Sequence, residues 1–173
     1  MEGKGMELVA ELMAVAARTA PKAGGKDFLE IKILKGSQLE ELARAMVDYG
    51  QKSGRKNFDR DGDNVRRSSA VLLIGLKGAK ESGLDCGACG YPSCKELPPL
   101  RAGKEFHGPI CAWRLIDLGI ALGSAAKTAS ILNADNRIMY RIGVVVREMG
   151  LMEGEIIVGI PLSATGKNIY FDR

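Results

Sequence analysis

The sequence predicts an α/β or α+β domain, a small sheet flanked by helices, and three observations carry that reading. Apolar residues recur at helical spacing in several long segments, and short apolar runs of strand length lie between them. The two kinds of segment alternate with no internal repeat and no linker that would divide the chain. The length of 173 residues, at 46% hydrophobic and 27% charged, suits one domain that buries roughly 70% of its unfolded surface.

The elements follow in order. Residues 7–18 place Leu8, Leu12, Val15 and Ala16 on one face, with Glu7, Glu11 and Arg18 elsewhere, which predicts an amphipathic helix with that apolar face buried. It stops at the loop Ala20-Pro21-Lys22-Ala23-Gly24-Gly25. Residues 28–34 alternate apolar and polar in part and read as a strand. Ser37-Gln38-Leu39-Glu40 has the capping-box pattern and opens a helix with Leu39, Leu42, Ala43, Met46 and Val47 inward. A polar stretch from Gln51 to Asn64 follows, and the basic stretch Lys52, Arg55, Lys56, Arg60, Arg66 and Arg67, interrupted by Asp59, Asp61 and Asp63, reads as a solvated surface segment. The run Ala70–Leu76 is short, β-branched and continuously apolar, as a central buried strand is. Turn residues crowd residues 85–111, and a helix from about Ala112 to Leu132 follows, its Gly119, Gly123, Ala125 and Ala126 allowing close packing. Asp135–Met149 carries Ile138, Ile142, Val145, Val146 and Met149 at helical spacing, though its β-branched run keeps a strand open. Glu155–Ile160 is a third strand.

Bulk properties exclude several functions. The formal net charge is +4 and the positive residues are dispersed, while aromatics are 5%, too few for stacking platforms, so no nucleic acid is expected. No signal peptide is evident at the start, and the apolar run Leu115–Ala126 contains Asp117 and is too short for a bilayer, so no membrane is expected and the chain reads as cytoplasmic.

All four cysteines lie in one window with the spacing C-x2-C-x4-C-x16-C: Cys86, Cys89, Cys94 and Cys111. Four thiolates suit a cubane iron–sulfur cluster or a tetrahedral zinc. Structural zinc sites usually show two close pairs of ligands, whereas here one pair is followed by two single cysteines, which favours the cluster. Gly87 and Gly90 permit tight turns that bring amide donors towards inorganic sulfide, and Cys111 opens a helix whose dipole favours thiolate. A cytoplasmic setting argues against disulfides. Residues 85–111 are too poor in apolar residues to hold a core, and read as an inserted, metal-stapled segment within a single domain, 1–173. His107, the one histidine, reads as an exposed loop residue, because four cysteines already fill the site.

Cys86-Gly87-Ala88-Cys89-Gly90-Tyr91-Pro92-Ser93-Cys94 with the distant Cys111 resembles the [4Fe–4S] module of electron-transport complex subunits and corrinoid iron–sulfur proteins. Residues 16–22, 115–125 and 159–167 extend a resemblance to an uncharacterised prokaryotic family of ferredoxin-domain proteins over nearly the whole chain. It implies a [4Fe–4S] cluster on the four cysteines, and the chain reads as an iron–sulfur redox protein that passes single electrons to a redox partner protein or a flavin. A more distant resemblance is to flavin-dependent nitroreductases. It rests on the first helix ending at Ala20-Pro21, the Gly- and Ala-rich late helix, and a last strand ending in Gly159-Ile160-Pro161. That resemblance implies a nitroreductase-like fold, a homodimer and FMN, with Arg18, Lys22 and Lys167 as candidates for the flavin phosphate. The paired arginines such enzymes carry before the first helix are missing, with Lys4 alone preceding it. A competing reading is a non-enzymatic binding or sensing module whose cysteines hold a structural cluster or zinc.

Other motifs fail on spacing. Ser163-Ala164-Thr165-Gly166-Lys167 lacks the first glycine of a phosphate loop. Asp59-Arg60-Asp61-Gly62-Asp63 has its glycine too early for a calcium loop and reads as a surface turn. Asn133–Arg137 reads as a capping loop between helices.

Overall fold

A computed structural model describes residues 2–171. Its elements are α1 (Glu2–Thr19), β1 (Leu29–Lys35), α2 (Ser37–Ser53), α3 (Phe58–Arg66), β2 (Ala70–Leu76), β3 (Arg101–Ala102), β4 (His107–Gly108), α4 (Ala112–Ile131), β5 (Asp135–Asn136), α5 (Tyr140–Glu148) and β6 (Ile156–Ser163). The main sheet runs β1-β2-β6-β5 with every neighbour antiparallel, and β3-β4 form a separate short hairpin.

The central strand β2 is buried along its whole length, and its uniform apolar sequence has a simple cause. Side chains alternate across a strand, so a sheet covered on both faces needs apolar residues at every position. Leu72, Ile74 and Leu76 point into a core shared with α1 and α4, while Val71 and Leu73 point into one shared with α2, α3 and α5. Helix α5 lies against β6 so closely that a Cβ on Gly143 would fall 1.6 Å from the Ile157 carbonyl oxygen. Any larger residue there must push the helix off the sheet. Among the described residues no helix is long and apolar enough to cross a membrane.

Four expectations need correction. Helix α1 forms, but Val9, Ala10, Met13 and Ala17 are its buried residues, whereas Leu8, Leu12 and Val15 are 56%, 44% and 60% exposed. Both stripes are apolar; the one with the smaller side chains wins because α4 offers Ala121, Ala125 and Ala129 and the helices pack closely. Helix α2 is capped by Gly36 at φ 59°, not by a Ser37 box: the Leu39 N–H donates to the Gly36 carbonyl at 3.1 Å. The segment read as solvated surface contains α3, which buries Phe58, Asp61, Asn64 and Val65. Asp61 is no surface turn residue: it is 2% exposed and held by Arg60 and by Arg141, 80 residues away. Residues 133–137 do cap a helix and then go further: Asn133 (φ 53°) and Ala134 close the end of α4 by donating to the Ser130 and Ala129 carbonyls, and Asp135 and Asn136 continue as β5, paired with Ser163 and Leu162. The residues left open between helix and strand form α5, which begins at Tyr140.

Candidate metal centre

Beyond β2 the backbone turns repeatedly in the left-handed region, at Gly78, Gly83, Asp85, Gly87 and Gly90. At Gly87 (φ 70°) and Gly90 (φ 89°) the turns fold the Cys86–Cys94 segment back on itself, and the Gly90 N–H closes one of them on the Gly87 carbonyl at 2.9 Å. The Cys94 N–H donates to Asp85 Oδ1 at 2.7 Å, and Cys94 opens a single 3-10 turn, Cys94–Glu96. Cys111 is the N-cap residue of α4.

These turns bring all four thiols, each free, around one pocket that Ser82, Tyr91, Ser93 and Trp113 also line. Cys111 is buried, Cys89 and Cys94 are half-buried, and Cys86 is exposed. The Trp113 indole N–H donates to Cys86 Sγ at 3.2 Å. Burial raises the Cys111 pKa, but hydrogen bonds from the Ser82, Trp113 and Arg114 amides and the Ser82 hydroxyl outweigh it, and the net shift is downward, favouring thiolate. Among the described residues no set of three or more His, Cys, Asp or Glu side chains is spaced to hold a single metal ion. Zinc with Zn–S bonds of about 2.3 Å would draw four sulfurs into a tight cage. A cubane takes one thiolate at each of four irons, and the four thiols lining this pocket, with amide and indole donors beside them, are the ligand type it requires.

Beneath the pocket lies a buried ion pair that the sequence reading missed. Arg114 and Asp117 have side chains 1% and 5% exposed, and Arg114 Nη1 donates to Asp117 Oδ2 at 2.9 Å. Arg114 Nε also donates to the Lys80 carbonyl, Nη1 donates to the Ala23 carbonyl, and the Ala23 N–H donates to Asp117 Oδ1. The guanidinium lies 4.8 Å from the centre of the Phe28 ring. The first two turns of α4 thereby grip the loop before β1 and the loop leading to the cysteines. Two opposite charges three residues apart in an otherwise apolar stretch were the available signal.

The flavin-phosphate candidates are not brought together. Arg18 donates to Asp27 Oδ2 at 2.7 Å and to the Leu29 carbonyl. Lys22 is 3.7 Å from the same Asp27 and donates to the Ala17 and Arg18 carbonyls. Lys167 lies past β6, flanked by Ser163, which pairs with Asp135, and by Asn168, whose amide donates to Asp135. The register puts Leu29 and Ser163 at opposite ends of the sheet, about 20 Å apart at about 3.3 Å per residue. His107 is not an exposed loop residue either: it is half-buried on β4, with its N–H on the Glu155 carbonyl and Nε2 against the Arg147 guanidinium.

Residues 107–173 match the family described as uncharacterized protein containing a ferredoxin domain (DUF2148). An uncharacterized protein of Archaeoglobus fulgidus is 47% identical over 173 residues, covering 99% of this chain and 94% of its own. Among solved structures, the nitroreductase CinD of Lactococcus lactis, in complex with nicotinic acid, superposes with a TM-score of 0.59 at 16% identity, covering 91% of this chain and 78% of its own. The FMN-dependent nitroreductase NfnB of Mycobacterium smegmatis, in complex with NADPH, gives 0.59 at 12% identity, with 94% and 80% covered. At such identities these two show a shared fold, and the fold is nitroreductase-like. With close sequence similarity along its whole length and the family pattern across its last 67 residues, the chain belongs to the family of uncharacterized proteins containing a ferredoxin domain.

Proposed function

We propose that the protein is an iron–sulfur electron-transfer protein in which Cys86, Cys89, Cys94 and Cys111 hold one [4Fe–4S] cluster, within a segment inserted at 85–111 into the single α/β body. The observation that carries this reading is that four free cysteines line one pocket, in a chain with no other cysteine. When bound, such a cluster supplies reversible one-electron transfer. Cys111, with its amide donors, is the ligand best prepared as thiolate, while Gly87 and Gly90 let the first three ligands face a common centre.

The fold shared with an FMN-dependent nitroreductase supports a second reading, a flavin-linked oxidoreductase. Arg18, Lys22 and Lys167 do not fit one phosphate within one chain, because Asp27 engages the first two and the third lies at the other end of the sheet. A homodimer agrees with the exposed apolar residues of α1 (Leu8, Leu12, Val15) and of α4 (Ile116, Ile120), surface that a second copy would cover.

Anaerobic purification followed by iron, acid-labile sulfide, zinc and flavin quantitation tests these readings. Four iron and four sulfide per chain, with broad absorption near 400 nm, are expected. A colourless protein holding stoichiometric zinc overturns the cluster, and no bound flavin after reconstitution with FMN removes the flavin-linked variant.

A further inference from the structure

We propose that Trp113, a residue outside the ligand set, sets the reduction potential of the centre through the hydrogen bond from its indole N–H to Cys86 Sγ. The inference rests on the iron–sulfur reading and names the group that regulates that same site.

Cys86 is the exposed thiol of the four, and the indole N–H is the donor it receives, at 3.2 Å. The same residue also serves a second ligand, because the Trp113 backbone amide hydrogen-bonds Cys111. One residue in the first turn of α4 thus donates to the ligands at both ends of the cysteine segment. A donor to a thiolate withdraws charge from the sulfur, and this stabilises the more negative reduced state more than the oxidised one. The potential therefore rises with the bond and falls without it.

Trp113 also lies where the bond can be altered from outside. It is 36% exposed, and Trp113, Ile116 and Ile120 follow one another at i, i+3 and i+7 along one face of α4. Water therefore reaches the indole edge, and a hydrogen bond exposed to water is electrostatically weaker than a shielded one.

The test uses Trp113→Phe, which keeps the ring and removes the donor, and compares anaerobic redox titrations of the iron-loaded proteins. At a fixed potential the reduced-to-oxidised ratio is expected to fall about tenfold, a downward shift of about 59 mV for one electron, with iron and sulfide content unchanged. An unchanged potential in an iron-replete variant overturns the proposal and leaves the cluster assignment standing. Since Trp113 is the sole tryptophan, the wild-type protein supplies an independent measurement that needs no substitution. With 15N-indole tryptophan, pulsed EPR of the reduced protein is expected to show one 15N nucleus coupled to the centre. Absence of that coupling overturns the proposal even if the variant fails to load iron. A wild-type protein without iron and sulfide overturns this inference and the function it rests on together.

Discussion

Replacing Asp117 by Asn probes the joint between the cysteine segment and the body. The substitution keeps the shape and removes the charge. Oδ1 can still accept from the Ala23 N–H, at 2.8 Å in the native protein. The amide nitrogen then faces Arg114 Nη1, donor against donor, where the carboxylate oxygen accepted at 2.9 Å. Arg114, 1% exposed, is left as a buried cation with carbonyl partners and the Phe28 ring but no counter-charge. Removing one partner of a buried pair costs about 3–5 kcal/mol, a large part of the 5–15 kcal/mol or so that stabilises a typical domain. For a chain of this size that lowers Tm by roughly 6–20 °C. Urea unfolding followed by circular dichroism, on wild type, Asp117→Asn, Asp117→Leu, Arg114→Met and the double variant Arg114→Met/Asp117→Leu, reads the cost directly. The double variant strands the Ala23 N–H and two loop carbonyls, so it is still destabilised, but by less than the sum of its own two singles. A loss below about 1 kcal/mol in Asp117→Asn, or strict additivity, would refute the reasoning.

Two further predictions concern the body. Burial pushes the Tyr170 hydroxyl, 2% exposed and bonded to Ser68 Oγ at 2.9 Å, up to about 12. Between its ordinary value of about 10 and 12 the unfolded chain binds fewer protons than the folded one, so stability falls with rising pH across that window, by about 2–3 kcal/mol in all. In Tyr170→Phe this component of the slope is expected to vanish from unfolding curves at pH 9.5–12, and an identical slope counts against it. Leu12→Glu places a charge on the outward stripe of α1 at a residue 44% exposed in the single chain. Sedimentation is expected to show a dimeric wild type and a monomeric, equally stable variant; a wild type that is monomeric at micromolar concentration contradicts the covered face.

What the sequence made legible depended on how local the deciding contact was. The 3.6-residue period announced α1, but two apolar stripes competed for burial, and the outcome lay with Ala121, Ala125 and Ala129, over 100 residues away. Helix α3 was hidden because Asp61 and Gly62 look like turn residues. Gly62 is in fact required by contact, since a Cβ there would stand 2.9 Å from the Ala43 carbonyl oxygen, and Asp61 is neutralised by the distant Arg141. β5 exists through pairing with β6 and has no propensity signal of its own. β2 was legible because burial on both faces leaves a mark at every position. The cysteines were legible because residue type and spacing alone single them out, and the turns that gather them around one pocket run through glycines already visible beside them, Gly87 and Gly90. The clamp below them was visible as charges but not as a contact, because its partners, Ala23 and Lys80, offer only backbone.

The way the cysteine segment is held leads to a prediction about its folding. At its start Arg114 grips the Lys80 carbonyl. At its end, Arg147 donates to the Glu105 carbonyl, Arg55 pairs with the Glu105 carboxylate at 2.6 Å, and Phe106 packs against the core of α2 and α5. Between these anchors, residues 80–105 add no described side chain to either core. Order around Cys86–Leu100 therefore has to come from the turns and from ligation, and ligation energy is folding energy in such a segment. Cys89→Ser removes a half-buried ligand. Iron is expected to be lost, and hydrogen exchange to rise many-fold over residues 85–100 while β2 and β6, sealed between two cores, keep their protection. Full iron content in the variant contradicts the ligand assignment. Loss of protection in β2 itself would contradict something different, the independence of the body, and would mean that the anchors at Lys80 and Glu105 transmit disorder in place of confining it.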